Sequence, residues 1–199
     1  MPENPAFAQS AYQVRFEWGA DGLARLEPAD IVVVVDVLGR PAIEAIDGGE
    51  AAPDAAAYRD LLAAAGGAEV VVGGLRNAAA VARHVLARQG ENARRTSVAV
   101  LATGAEHDGA ARFAVEDLLG AGAVIAALGD LGIDHCSPEA AVAGEGFRAL
   151  RGATRHLLTA SGSGRGLDAA GRKDAVLAAA AVDAASVVPV LHAARLARA

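Results

Sequence analysis

Three acids stand where acids are costly. The run ADIVVVVDVLGRP (29–41) strings together five β-branched residues, Ile31 to Val35, and then ends on Asp36, just ahead of Gly39 and Pro41. Further on, RFAVEDLLGAG (112–122) sets Glu116 and Asp117 among Phe113, Val115, Leu118 and Leu119, which leaves little solvated face. Two carboxylates in an apolar helix are unfavourable unless they are paired or bound to a cation. Neighbours on a helix diverge by about 100°, so one acid can ligate while the other supports it or faces water. In open α/β sheets ligands bind beyond the carboxyl ends of strands, and Asp36 is expected at such an end. The plainer readings stay open: Asp36 as a cap or turn acceptor, and Glu116–Asp117 as solvated charge.

Other polar groups are weaker leads. Arg76 and Asn77 in GLRNAAAV fall between a strand end and a helix start; Asn77 suits an N-cap or an anion contact. SGSGRG (161–166) has the composition of a phosphate-cradling nest or of a flexible connection. Asp134-His135-Cys136 lacks the second cysteine or spaced histidine of a metal site and reads as a loop. His84, on an arginine-rich helix, reads as solvated. No GxxxxGK[ST] or GxGxxG pattern occurs.

The elements that must position these residues alternate. Strand character is expected in YQVRFEW (12–18), DIVVVVDV (30–37), AEVVVGG (68–74), TSVAVLAT (96–103), GAVIAAL (122–128) and ASVVPVL (185–191). Continuous apolar runs imply strands covered on both faces, as in parallel sheets. Residues 12–18 instead alternate apolar with polar, which suits an edge or antiparallel strand. Helical spacing marks 76–89, with Gly90 as its stop, 109–122 and 137–161. The expected fold is α/β, a three-layer α/β/α arrangement around a mainly parallel, mixed sheet, in a single domain over residues 1–199.

Composition narrows the partners. With 199 residues, a net charge of −6 and no basic cluster interleaved with aromatics, nucleic acid is not an expected partner. No apolar run reaches the roughly 18–20 residues of a membrane span, and the N-terminus lacks the pattern of a signal peptide, so no membrane partner and a cytoplasmic location are expected. One cysteine excludes an internal disulfide and a cysteine metal cage. A homodimer is the expectation from base rates alone.

The order of these segments resembles the 2-phosphosulfolactate phosphatase (ComB) family. The likeness runs through AQSAYQVRFEWGADGLARL (8–26), DIVVVVDVL (30–38), VVVGGLRNAAAVA (70–82), DGAARFAVEDLLGAGAVIAALG (108–129), SPEAAVAGEGFRA (137–149) and SGRGLDAAGRKDAVLAAAAVDAASVVPVL (163–191). The resemblance implies a magnesium-dependent phosphohydrolase acting on a small anionic phosphorylated substrate. It implies Asp36, Glu116 and Asp117 as the acidic catalytic set, with Asp36 and Glu116 as ligands of Mg2+. It also points to Arg40, Asn77 and Arg112 as holders of phosphate or sulfonate. Two departures stand out: GRPAIEAI replaces the hydroxyl-rich run after Asp-Val-Leu, and only residues 47–67 join the first helix to the strand at 68–74, shorter than in the family. The rival they support is a catalytically reduced member that binds an anion or a partner.

Overall fold

The computed structural model describes residues 5–39, 42, 43, 46, 58–92, 94–107 and 110–191. Its strands are β1 (Val14–Trp18), β2 (Ile31–Val35), β3 (Glu69–Gly73), β4 (Val98–Ala102), β5 (Ala105–His107), β6 (Ala110–Arg112) and β7 (Val190–Leu191). The helices are α1 (Gly19–Arg25), α2 (Arg59–Ala64), α3 (Ala78–Asn92), α4 (Val115–Asp130), α5 (Pro138–Leu150), α6 (Thr154–Ala160), α7 (Gly162–Ala169) and α8 (Lys173–Ala179). One sheet runs β1-β4-β2-β3-β7, parallel except for β7 against β3. Because Val35 is paired with both Ala102 and Gly73, the carboxyl ends of the three inner strands finish on one rim.

The valine run explains the layering. Successive side chains of a strand point to opposite faces. Ile31, Val33 and Val35 join the core formed with α3, α4 and α5, whereas Val32 and Val34 join Leu23, Leu26, Leu61 and Leu62 around α1 and α2. Every residue of β2 and β4 is buried. The fold is therefore α/β, with helices on both faces of a mostly parallel mixed sheet.

Several local expectations are corrected. GAVIAAL (122–128) is not a strand but the second half of α4, which starts at Val115 rather than at 109. Glycine is what makes that helix possible at this depth. A Cβ at Gly120 would run into Val35 and Val37, and one at Gly122 would run into the Ala143 carbonyl and Phe147. The helix lies on sheet and neighbour through small residues, and its apolar run is uniform because it is buried nearly all round. α3 continues through Gly90 to Asn92, SGSGRG supplies the first turn of α7 with Ser161 as its N-cap, and the last strand shrinks to Val190–Leu191. His84 is half-buried and bonded to Glu69 at 2.6 Å rather than solvated.

β1 is an edge strand, as its alternation suggests, yet it is parallel to β4. Its open side is sealed. Val14 N–H donates to His135 O at 3.1 Å and Val14 O accepts Ser137 N–H at 2.9 Å. The Gln9 amide, held in left-handed backbone (φ 50°), accepts Phe16 N–H at 3.1 Å and donates to Phe16 O at 2.9 Å. Glu17 accepts Trp18 N–H at 3.1 Å. Edge pairing with another chain is blocked in this way. Among the described residues no helix is long and apolar enough to cross a membrane.

Candidate active site

β2 delivers Asp36 to the rim, where the chain turns sharply. The Asp36 carboxylate accepts the Gly39 N–H, and Tyr58 Oη donates to its Oδ2 at 3.4 Å. A Cβ on Gly39 would overlap that carboxylate, so only glycine lets the acid fold back over its own turn. The turn-acceptor reading of Asp36 holds at this corner.

α4 brings the other two acids into its first turn, where the helix dipole favours negative charge. Both are buried: Glu116 is 4% and Asp117 2% exposed. Asp117 Oδ1 accepts Val37 N–H at 2.8 Å; its Oδ2 accepts Gly104 N–H at 2.9 Å and the Thr103 hydroxyl at 3.2 Å. Asp117 therefore ties the loop after β2 to the loop after β4. Thr103 is itself fastened to β2, its N–H donating to Val35 O at 2.9 Å.

The three carboxylates feel one another. Burial raises the Asp36 pKa, the Gly39 N–H and Tyr58 hydroxyl partly offset that, and Glu116 adds to the rise. Burial likewise pushes Asp117 up to about 7, with the charge of Asp36 next and the Val37 N–H opposing. Burial also raises the Tyr58 phenol, followed by the charge of Asp36. The rim thus holds more negative charge than its surroundings solvate, and a proton or a cation relieves it.

A cavity of about 20 Å³ opens beside Asp36, lined by Val37, Ile43, Ile46, Gly73, Gly74 and Arg76 among others, room for one water-sized group. Arg76 belongs to the 3-10 turn Leu75–Asn77. Asn77 is fully buried and donates to Val72 O at 3.1 Å and Val187 O at 3.0 Å. Arg112, at the end of β6, has an exposed side chain, while its carbonyl lies against Gly104, whose backbone is left-handed (φ 74°). Arg40 lies outside the described residues. Asp36, Glu116 and Asp117 are therefore brought together, with Arg76 on the adjoining cavity. Tyr58, Thr103 and Gly104 reach the acids without having been singled out in the sequence.

Among the described residues, no three His, Cys, Asp or Glu side chains are disposed to hold one metal ion. At this rim both oxygens of Asp117 accept hydrogen bonds from the loops. Asp36 and Glu116 would be the pair to hold a hard cation such as Mg2+, which binds through one or two carboxylates together with waters and substrate phosphate.

The acid-rich rim, with an arginine beside it, lies at the carboxyl ends of a mainly parallel sheet, the place where open α/β sheets bind their ligands. The family model for 2-phosphosulpholactate phosphatase matches residues 57–194, and the chain belongs to this family, one of enzymes that hydrolyse phosphate esters. Tyr58, Arg76, Asn77, Arg112, Glu116 and Asp117 lie within the match; Asp36 and Arg40 precede it. No curated protein matches the chain.

Proposed function

We propose that the protein is a Mg2+-dependent phosphatase that hydrolyses 2-phosphosulfolactate or a closely related small phosphorylated acid. The observation that carries this reading is the meeting of Asp36, from the end of β2, with Glu116 and Asp117, from the first turn of α4. Asp36 and Glu116 would hold the ion. When bound, Mg2+ neutralises charge on the transferring phosphoryl group and lowers the pKa of a coordinated water. Hydrolysis places the OH of water on phosphorus and its remaining hydrogen on the leaving alkoxide oxygen as the P–O ester bond breaks.

The chain's own residues set the geometry for that step. Tyr58 and Gly39 fix the Asp36 carboxylate, so its oxygens need little reordering at the moment of reaction. Asp117 does not reach out to water; it holds the loops after β2 and β4 at a constant spacing. The small cavity beside Asp36 admits little beyond one oxygen-sized group, so the phosphoryl group would meet Asp36 at its mouth. Arg40 and Arg112 remain family-implied contacts for the anionic groups, whereas Asn77 has both amide hydrogens committed to main-chain carbonyls.

The test is phosphate release by the purified chain with Mg2+ across a panel of phosphorylated carboxylic acids that includes 2-phosphosulfolactate. Release that needs the divalent ion and vanishes in Asp36→Asn supports the reading. Silence across the panel from folded protein contradicts it and leaves an anion- or partner-binding relative.

A further inference from the structure

We infer that Arg76 is the residue that receives the anionic oxygens of the ligand, and that Asn77 acts through it as a positioning residue; this rests on the phosphatase reading above. The turn carrying both residues is anchored by the C-terminal segment. Asp183 N–H donates to Leu75 O at 2.9 Å and Ala185 N–H donates to Arg76 O at 2.8 Å. From within, Asn77 Nδ2 donates to Val72 O and Val187 O. An amide has two N–H donors, and both are spent on main-chain carbonyls, so Asn77 offers an incoming anion no hydrogen.

Its neighbour is placed differently. Arg76 lines the cavity that Asp36 also lines, and it is the cationic side chain in the described lining. Gly73 keeps this wall thin, because a Cβ there would press on Val33 at 2.6 Å and Val81 at 3.3 Å. A guanidinium presents planar paired donors that match phosphate oxygens. With Asp36 on the same cavity, a phosphate at its mouth sits between the proposed ion and Arg76. Asn77 then fixes the direction of Arg76 without touching the ligand.

Inorganic phosphate is the probe, titrated by calorimetry into the full chain in Mg2+, with Mn2+ affinity and thermal midpoint measured in parallel. Arg76→Gln is expected to weaken phosphate binding by about tenfold to a hundredfold, the range for losing one charge-assisted contact, with Mn2+ affinity and midpoint unchanged. Arg76→Lys is expected to fall between. Asn77→Ala is expected to weaken phosphate at temperatures where it remains folded, again sparing Mn2+; a merely structural asparagine would lower the midpoint alone. Wild-type phosphate affinity in Arg76→Gln, or parallel loss of Mn2+ affinity, overturns the inference while leaving the phosphatase reading intact. Wild-type protein that binds neither Mn2+ nor phosphate overturns both.

Discussion

Replacing Asp117 by alanine removes the acceptor of the Val37 N–H, the Gly104 N–H and the Thr103 hydroxyl in one step. A buried N–H left without a partner costs about 1–3 kcal/mol. Val37 is buried and Gly104 only half-buried, so the loss is about 2–4 kcal/mol when the carboxyl carries its proton. Ionisation opposes this. Burial moves the Asp117 pKa from 3.8 to about 7, so the folded state holds the proton more tightly than the unfolded chain. The stabilisation linked to that proton is complete below about pH 4 and is lost as pH rises through about 7, with a ceiling of about 4 kcal/mol. About 1.6 kcal/mol of that stabilisation is already gone at pH 5, so Asp117→Ala is expected to cost about 0.5–2 kcal/mol there and distinctly less at pH 8. Urea unfolding of both proteins in EDTA at the two pH values measures this. A cost that widens with pH would refute the reasoning, because it would mean that the N–H donors outweigh burial and Asp117 is ionised throughout.

Gly122→Ala is expected to destabilise by about 1–3 kcal/mol by forcing α4 off the Ala143 carbonyl, whereas Gly90→Ala, which meets open space in α3, should stabilise by about 0.5–1 kcal/mol; thermal unfolding reads both. Gln9→Ala strips the Phe16 main chain of two bonds, costing about 1–2 kcal/mol and uncovering the β1 edge, which light scattering should register as concentration-dependent association. Tyr58→Phe removes a hydrogen bond that favours ionised Asp36, so Mn2+ affinity should fall about tenfold, with the acid side of its pH profile displaced upward.

The central strands were legible because β-branched runs bounded by Gly and polar residues have few other uses, and β2, β3 and β4 lie within the segments expected. GAVIAAL was not, because a short apolar run carries no period; only contact with Val35, Val37 and Ala143 decides for helix. The acids were legible as residues set against their surroundings. Which oxygens remain for a ligand was not, since the commitments of Asp117 come from Val37 and Gly104, and the latter loop follows another strand. The pair Arg76–Asn77 shows the same limit. Adjacent in sequence, they are sorted by Val187 and Ala185, more than a hundred residues away, into a buried clamp and a cavity wall. Tyr58 lies within the shortened segment in no periodic pattern, and only its approach to Asp36 gives it meaning.

Direct binding of Mn2+, followed by electron paramagnetic resonance, addresses the meeting of the acids most plainly. The account predicts one ion per chain, released by excess Mg2+ and lost in both Asp36→Asn and Glu116→Gln, while Asp130→Asn at the far end of α4 binds as the wild type does. Undiminished binding in either rim variant, or none in the wild type, would contradict it.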